Sequence, residues 1–110
     1  MTDTHLISQN EQVFLLAIMH LGEGAYGVAI RRAIKEKTGQ ELTYGALYFT
    51  LGQLTKKDFV EKRAGEPSPK RGGRRRFYYS LTEAGKKALQ TAYEFHHHLW
   101  KGLDAPLFEE

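Results

Sequence analysis

Phe59-Val60-Glu61-Lys62-Arg63-Ala64-Gly65-Glu66-Pro67-Ser68-Pro69-Lys70-Arg71-Gly72-Gly73-Arg74-Arg75-Arg76-Phe77-Tyr78-Tyr79-Ser80-Leu81 is the stretch on which the fold turns. Its two ends, residues 59–63 and 76–81, read as strands from their β-branched and aromatic content. The segment between them, 65–75, is rich in proline, glycine and charge, so it continues neither strand and forms an exposed hairpin tip. A basic two-stranded hairpin of this kind is the "wing" when a helix-turn-helix precedes it. The residues upstream therefore decide the architecture.

Immediately before the hairpin, Thr43 is placed to cap a helix running to about Lys57. Leu47, Leu51 and Leu54 recur at i, i+4 and i+7, which makes one inward face. An earlier helix starts around Tyr26-Gly27 and reaches Lys37 or Thr38, with Gly39 as its stop. Ile30, Ala33 and Ile34 form its buried stripe. Two short helices separated by a few residues form a helix-turn-helix candidate. Gln40-Glu41-Leu42 is expected to add a short third strand.

Both flanks of this unit are helical. Ser8 and Glu11 have capping-box spacing, and the apolar run Val13-Phe14-Leu15-Leu16-Ala17-Ile18-Met19 follows, closed by Gly22. Seven consecutive apolar residues wrap the helix nearly all round, so it needs cover on two sides. A partner subunit, touching Phe14 and Ile18, is the expected second cover. At the other end, Thr82 caps a long helix whose stripe is Leu89, Ala92, Tyr93, His96, Leu99, Trp100 and Leu103. That stripe outruns the winged core, so Leu89, Tyr93, His96, Leu99, Trp100 and Leu103 complete the expected dimer interface. The resulting fold class is mainly α with a small β-hairpin wing: a winged helix-turn-helix plus a long C-terminal dimerisation helix. In domain terms this is a flexible N-terminus (1–7), a winged helix-turn-helix domain (8–81), a dimerisation helix (82–104) and a tail (105–110).

Composition narrows the function. The 110 residues suit one domain and contain no cysteine, which excludes disulfides and thiolate metal sites. The longest apolar run, Val13–Met19, is seven residues, far short of a bilayer, and the N-terminus lacks signal-peptide character. A soluble cytoplasmic protein without membrane contact is expected. The net charge is only +3, but nine Lys and Arg face three carboxylates between Lys56 and Arg76. That local excess of +6 leaves −3 for the rest of the chain, the uneven footprint of a nucleic-acid binder rather than an evenly solvated surface. No serine, threonine or lysine sits in a nucleophile elbow or beside paired carboxylates, so no catalytic residue and no enzyme is expected. Gly72-Gly73 lies between arginines and lacks the Lys-Ser/Thr and helix of a phosphate-binding loop, and no cofactor is expected. His96-His97-His98 project about 100° apart on a helix and cannot converge on one ion, so no metal is expected.

In order, Ala25-Tyr26-Gly27-Val28-Ala29-Ile30, Gly45-Ala46-Leu47-Tyr48, Gly65-Glu66-Pro67, Arg71 to Arg76, Tyr78-Tyr79 and Leu81-Thr82-Glu83-Ala84-Gly85 resemble the PadR family of winged-helix transcriptional regulators. The match covers roughly residues 12 to 90. It implies a dimeric repressor whose third helices enter successive major grooves of double-stranded DNA, with the wings on flanking backbone. Two departures stand out: Gly52-Gln53 replaces a polar or acidic residue followed by a cation, and Asp58 replaces a common glycine. In some relatives a flat hydrophobic compound lies between subunits against a tryptophan of the last helix. Trp100 matches that placement, so a small hydrophobic effector is weighed against a plain interface anchor.

The DNA-binding candidates follow from helix geometry and charge. Thr43, Tyr44, Gly45 and Tyr48 stand at the start and outer face of the third helix, where N–H groups are free and Gly45 allows close approach. Tyr48 is read either as a phosphate or base contact or as a packing tyrosine. Lys70, Arg71, Arg74 and Arg75 are the wing's phosphate or minor-groove candidates, ahead of Arg76 at the strand boundary. The competing function is a winged-helix protein-interaction module, which would expose apolar residues on the third helix instead.

Overall fold

Helix α1 (Gln9–Leu21) starts where its capping box closes. The Ser8 hydroxyl accepts from the Glu11 N–H at 3.0 Å, and the Ser8 N–H donates to the Glu11 carboxylate at 2.8 Å. A computed structural model describes residues 6–103; the expected tail (105–110) and most of the expected flexible N-terminus (1–7) lie outside the described residues. After α1 come α2 (Gly27–Thr38), α3 (Tyr44–Lys56), strands β1 (Val60–Pro67) and β2 (Arg75–Leu81), and α4 (Glu83–Trp100). This is a mainly helical winged helix-turn-helix.

Its caps fall where the sequence puts them. Gly39 ends α2 in the left-handed region at φ 77°, and Thr43 opens α3 by accepting from the Ala46 N–H. Asp58, in the family's glycine position, adopts φ 64°, which a short polar side chain tolerates better than most. The turn it makes lets the Asp58 carbonyl accept from the Thr82 hydroxyl at 2.6 Å, while the Phe59 carbonyl accepts from the Thr82 N–H at 3.0 Å. A methyl group at Gly85 would overlap that Phe59 carbonyl. The Leu81-to-Gly85 junction therefore seats α4 directly on the α3–β1 turn.

One core serves the whole unit. Phe14, Leu15 and Ile18 from α1 meet Ile30 and Ile34 from α2, Leu47, Leu51 and Leu54 from α3, Val60, Tyr79 and Leu89. This corrects two expectations. Phe14 and Ile18 are 0% and 1% exposed within a single chain, and Leu89 is also buried, so these three belong to the core and not to a surface a partner can reach. The physical reason is that α1 is the central helix: α2, α3, β2 and α4 all pack on it, covering the apolar run from within. Only Leu16 and Met19 of that run stay exposed.

The sheet has two antiparallel strands, with Val60 opposite Leu81, Lys62 opposite Tyr79 and Ala64 opposite Phe77. Gln40–Leu42 forms no strand; the Leu42 carbonyl instead accepts from the Arg31 guanidinium at 2.6 Å. The third-strand position is held by Ala25 and Tyr26, through a Tyr26–Tyr78 bridge and a Tyr79 N–H donated to the Ala25 carbonyl at 2.8 Å. β1 also runs further than its composition suggests, reaching Pro67 across an irregularity after Ala64. A two-stranded ribbon has an unpaired side, where proline's missing N–H costs no ladder bond.

Candidate nucleic-acid interface

Helix α3 buries Leu47, Leu51 and Leu54 completely, which turns Tyr44, Gly45, Phe49, Gly52 and Gln53 away from the core. Its amino end is held in place from α2. Arg31 reaches the Leu42 carbonyl and lays its guanidinium over the Tyr44 ring at 4.6 Å, while Lys35 pairs with Glu41 at 3.5 Å. At its far end Lys57 forms an ion pair with Glu11 of α1. Partial burial of Glu11 opposes ionisation, yet the Lys57 ammonium and the Ser8 N–H and hydroxyl hold its carboxyl below the usual carboxylate range.

Tyr48 is shared between packing and surface. Its ring lies over Gly27, where any Cβ would overlap it, and its exposure is still 49%. Beneath it, burial and then the neighbouring Tyr48 phenol push the Tyr79 hydroxyl pKa up, so that group stays neutral. Tyr48 thus stands on the rim between α2, α3 and the wing.

The wing is built in two parts. At the tip, Ser68 accepts from the Lys70 N–H, a single tight turn covers Pro69–Arg71, and Gly72 and Gly73 take φ values of 68° and 80°. The Arg71 guanidinium donates to the carbonyls of Glu66 at 3.0 Å and Arg74 at 3.4 Å, and Arg74 donates back to the Arg71 carbonyl at 3.0 Å. Those two side chains shape the hairpin. The Lys70 ammonium and the Arg75 guanidinium have no such partner among the described residues.

At the root, cations and rings alternate. Arg63 lies over Tyr78 at 5.0 Å, Tyr78 meets Tyr26 edge-on at 5.8 Å, and Arg76 lies over Tyr26 at 4.0 Å. Gly65 makes room for this stack, because a Cβ there would come within 2.6 Å of the Tyr78 ring. On the opposite face Lys62 lies over Phe77 at 4.5 Å.

Between α2, α3 and the wing opens a groove of about 590 Å³. Six cations line it (Arg32, Lys62, Arg71, Arg74, Arg75 and Arg76) together with Tyr48, and no carboxylate does. Of the expected DNA-facing residues, Arg71, Arg74, Arg75 and Tyr48 come together here. Thr43, Tyr44 and Gly45 lie at the amino end of α3 outside the groove lining, and Lys70 is exposed at the wing tip. Arg32 and Lys62 are additions that sequence reasoning missed. The signals were present: Arg32 follows Val28 at i+4 on α2, and strand alternation puts Lys62 on the face of its partner Tyr79.

A second exposed region lies along α4. Tyr93, Phe95, Leu99 and Trp100 are exposed on α4, which stops at Trp100 short of the expected 104 because the chain turns there with Gly102 at φ 85°; Leu103 in that turn is exposed too, as are Leu16 and Met19 of α1. His96 meets the Phe95 ring edge-on at 5.5 Å, and His97 stacks on Tyr93 at 5.9 Å. Among the described residues no helix is long and apolar enough to cross a membrane.

Comparison with known proteins matches this architecture to solved structures. A PadR-like transcriptional regulator from Bacillus cereus shares 21% identity, with 92% of this chain and 93% of that chain covered at a TM-score of 0.72. A PadR family regulator from Clostridium difficile shares 24% identity over 88% of this chain and 97% of that one, at 0.70. RosR of H. salinarum shares 25% identity over 91% and 83%, also at 0.70. No curated protein matches the chain in sequence. The family model described as "Transcriptional regulator PadR-like family" matches residues 15–91, from α1 through the groove and wing into α4. The chain belongs to the PadR-like family, and is a transcriptional regulator rather than an enzyme.

Proposed function

We propose that the protein is a dimeric repressor that binds a specific double-stranded DNA sequence through α3 and the wing. The groove carries this reading: six cations converge beside an exposed helix, with no carboxylate among them to repel phosphate. In this reading the amino end of α3, with Thr43, Tyr44, Gly45 and Tyr48, enters the major groove. Lys70, Arg75 and Arg32 meet phosphates, and Arg71 and Arg74 hold the tip in shape while adding charge. Wing contacts supply affinity and register, and base selection falls to α3.

The proposed dimer joins subunits through Tyr93, Leu99 and Trp100 of α4 and Leu103 in the turn after it, with His96 at the edge and Leu16 and Met19 of α1 replacing the buried Phe14 and Ile18. Large aromatics suit such a seam. Trp100 is the proposed seat of a flat hydrophobic effector between the subunits. Two-fold symmetry gives a pseudo-palindromic operator with half-sites about 34–36 Å apart.

One observation favours a second reading, a protein-interaction module: Phe49 of α3 is exposed. A mobility-shift assay separates the two. The full-length chain is titrated against duplex DNA from upstream of its own coding region, unrelated duplex and structured RNA. Tighter retention of the upstream duplex supports the regulator; absence of a shift with any duplex contradicts it.

A further inference from the structure

Helix α3 carries no charged residue before Lys56, and its outward face holds Gly45, Phe49, Gly52, Gln53 and Lys56. Phe49 stands near the centre of that face, 68% exposed. Neither neighbouring glycine is demanded by packing: a Cβ at Gly52 would meet nothing within 4 Å, and one at Gly45 only the Thr43 hydroxyl at 4.0 Å. Their effect is on shape. Bare helix backbone lies one turn before and one turn after Phe49, so a single phenyl ring is the main projection.

From Gly45 to Gln53 such a face has no cation to grip guanine as arginine or lysine does. Among base edges in the major groove, the apolar partner is the C5 methyl of thymine, which phenylalanine contacts well. Gln53, one turn further on, has the amide that pairs with adenine N6 and N7. The cationic groove, which Tyr48 of this same helix lines, draws a polyanion to the side of α3, which matches DNA better than an apolar protein partner. We propose that Phe49 is a specificity-determining residue, reading a thymine methyl group in each operator half-site. This inference rests on the DNA-binding reading above.

Replacing thymine by deoxyuridine removes that methyl and leaves base pairing intact, which makes the test direct. Duplexes enriched by the wild-type protein from a random pool are remade with each thymine changed singly to deoxyuridine. At one thymine per half-site the Kd is expected to rise about fourfold, and about fifteenfold with both half-sites changed. Phe49→Ala is expected to bind thymine and deoxyuridine duplexes equally while keeping the wild-type melting temperature, since the side chain is mostly exposed. Enrichment of a duplex that tolerates every replacement, or discrimination that persists in Phe49→Ala, overturns the role of Phe49 and leaves DNA binding standing. Failure to enrich any duplex overturns the DNA-binding reading and this inference with it.

Discussion

Helix α3 from Tyr44 to Thr55 has no charge at all, whereas the hairpin from Val60 to Leu81 holds seven Lys and Arg against two Glu. The two elements border one groove, and their chemistries are divided between them. A helix without charge selects by shape and apolar fit, and a cationic hairpin binds any phosphate backbone with little choice. The same contrast repeats inside the wing. At the root the cations Arg63 and Arg76 lie on tyrosine rings, and at the tip Lys70 and Arg75 have no partner among the described residues. Arg76 ties the wing to the start of α2 through Tyr26, and Lys70 and Arg75 are left for a ligand.

The tip-and-root contrast breaks most readily at the tip. Lys70→Ala combined with Arg75→Ala is expected to weaken binding to every duplex by on the order of 100-fold. The slope of log K against log salt should become shallower by roughly 0.9 for each phosphate no longer neutralised, about 3.6 for a dimer. Melting temperature should hardly change, because neither side chain is tied to a neighbour among the described residues. Isothermal binding at several salt concentrations, beside a thermal melt, measures both quantities.

Tyr26→Ala acts at the root and is expected to do less. It removes the ring between Tyr78 and Arg76, worth about 1 kcal/mol of stability. Affinity for DNA should fall about tenfold with an unchanged salt slope, since the wing is misplaced but the same phosphates are neutralised. Tyr26→Phe keeps the ring and should restore binding. A shallower slope in Tyr26→Ala would mean that the root cations touch phosphate after all.

The smallest effect concerns the seat of α3. Glu11→Gln loses the ion pair to Lys57, whose side chain is half exposed, so about 0.5 kcal/mol is expected at neutral pH. Because the folded carboxyl titrates below its ordinary range, this stability is present above that range and lost as pH falls through the lowered value. The difference between wild type and Glu11→Gln in denaturant melts should therefore vanish in acid.

Features set within a few residues were legible in the sequence. Ser8 with Glu11, Gly39, Thr43, Asp58 and, through the Gly85 N–H it accepts from, Thr82 shape the backbone close by in the chain, and each falls where its residue type predicts. Features set by neighbours distant in sequence were not. The apolar run of α1 fits both a central helix and an interface helix, and only the packing of α2, α3, β2 and α4 decides between them. Residues 40–42 could pair as a strand, but Ala25 and Tyr26 take that edge. The candidate site divides in the same way. A basic wing could be read directly, but which arginines bind their own hairpin depends on a three-dimensional turn, as does the arrival of Arg32 and Lys62 in one groove.

The most direct test of the central claim is the salt dependence of binding by the wild-type protein to its upstream duplex. If the tip cations of two subunits meet phosphate, log K should fall linearly with log salt at a slope of magnitude roughly 3.6 or more. A slope near zero would contradict the assignment of the wing and its groove to the DNA backbone.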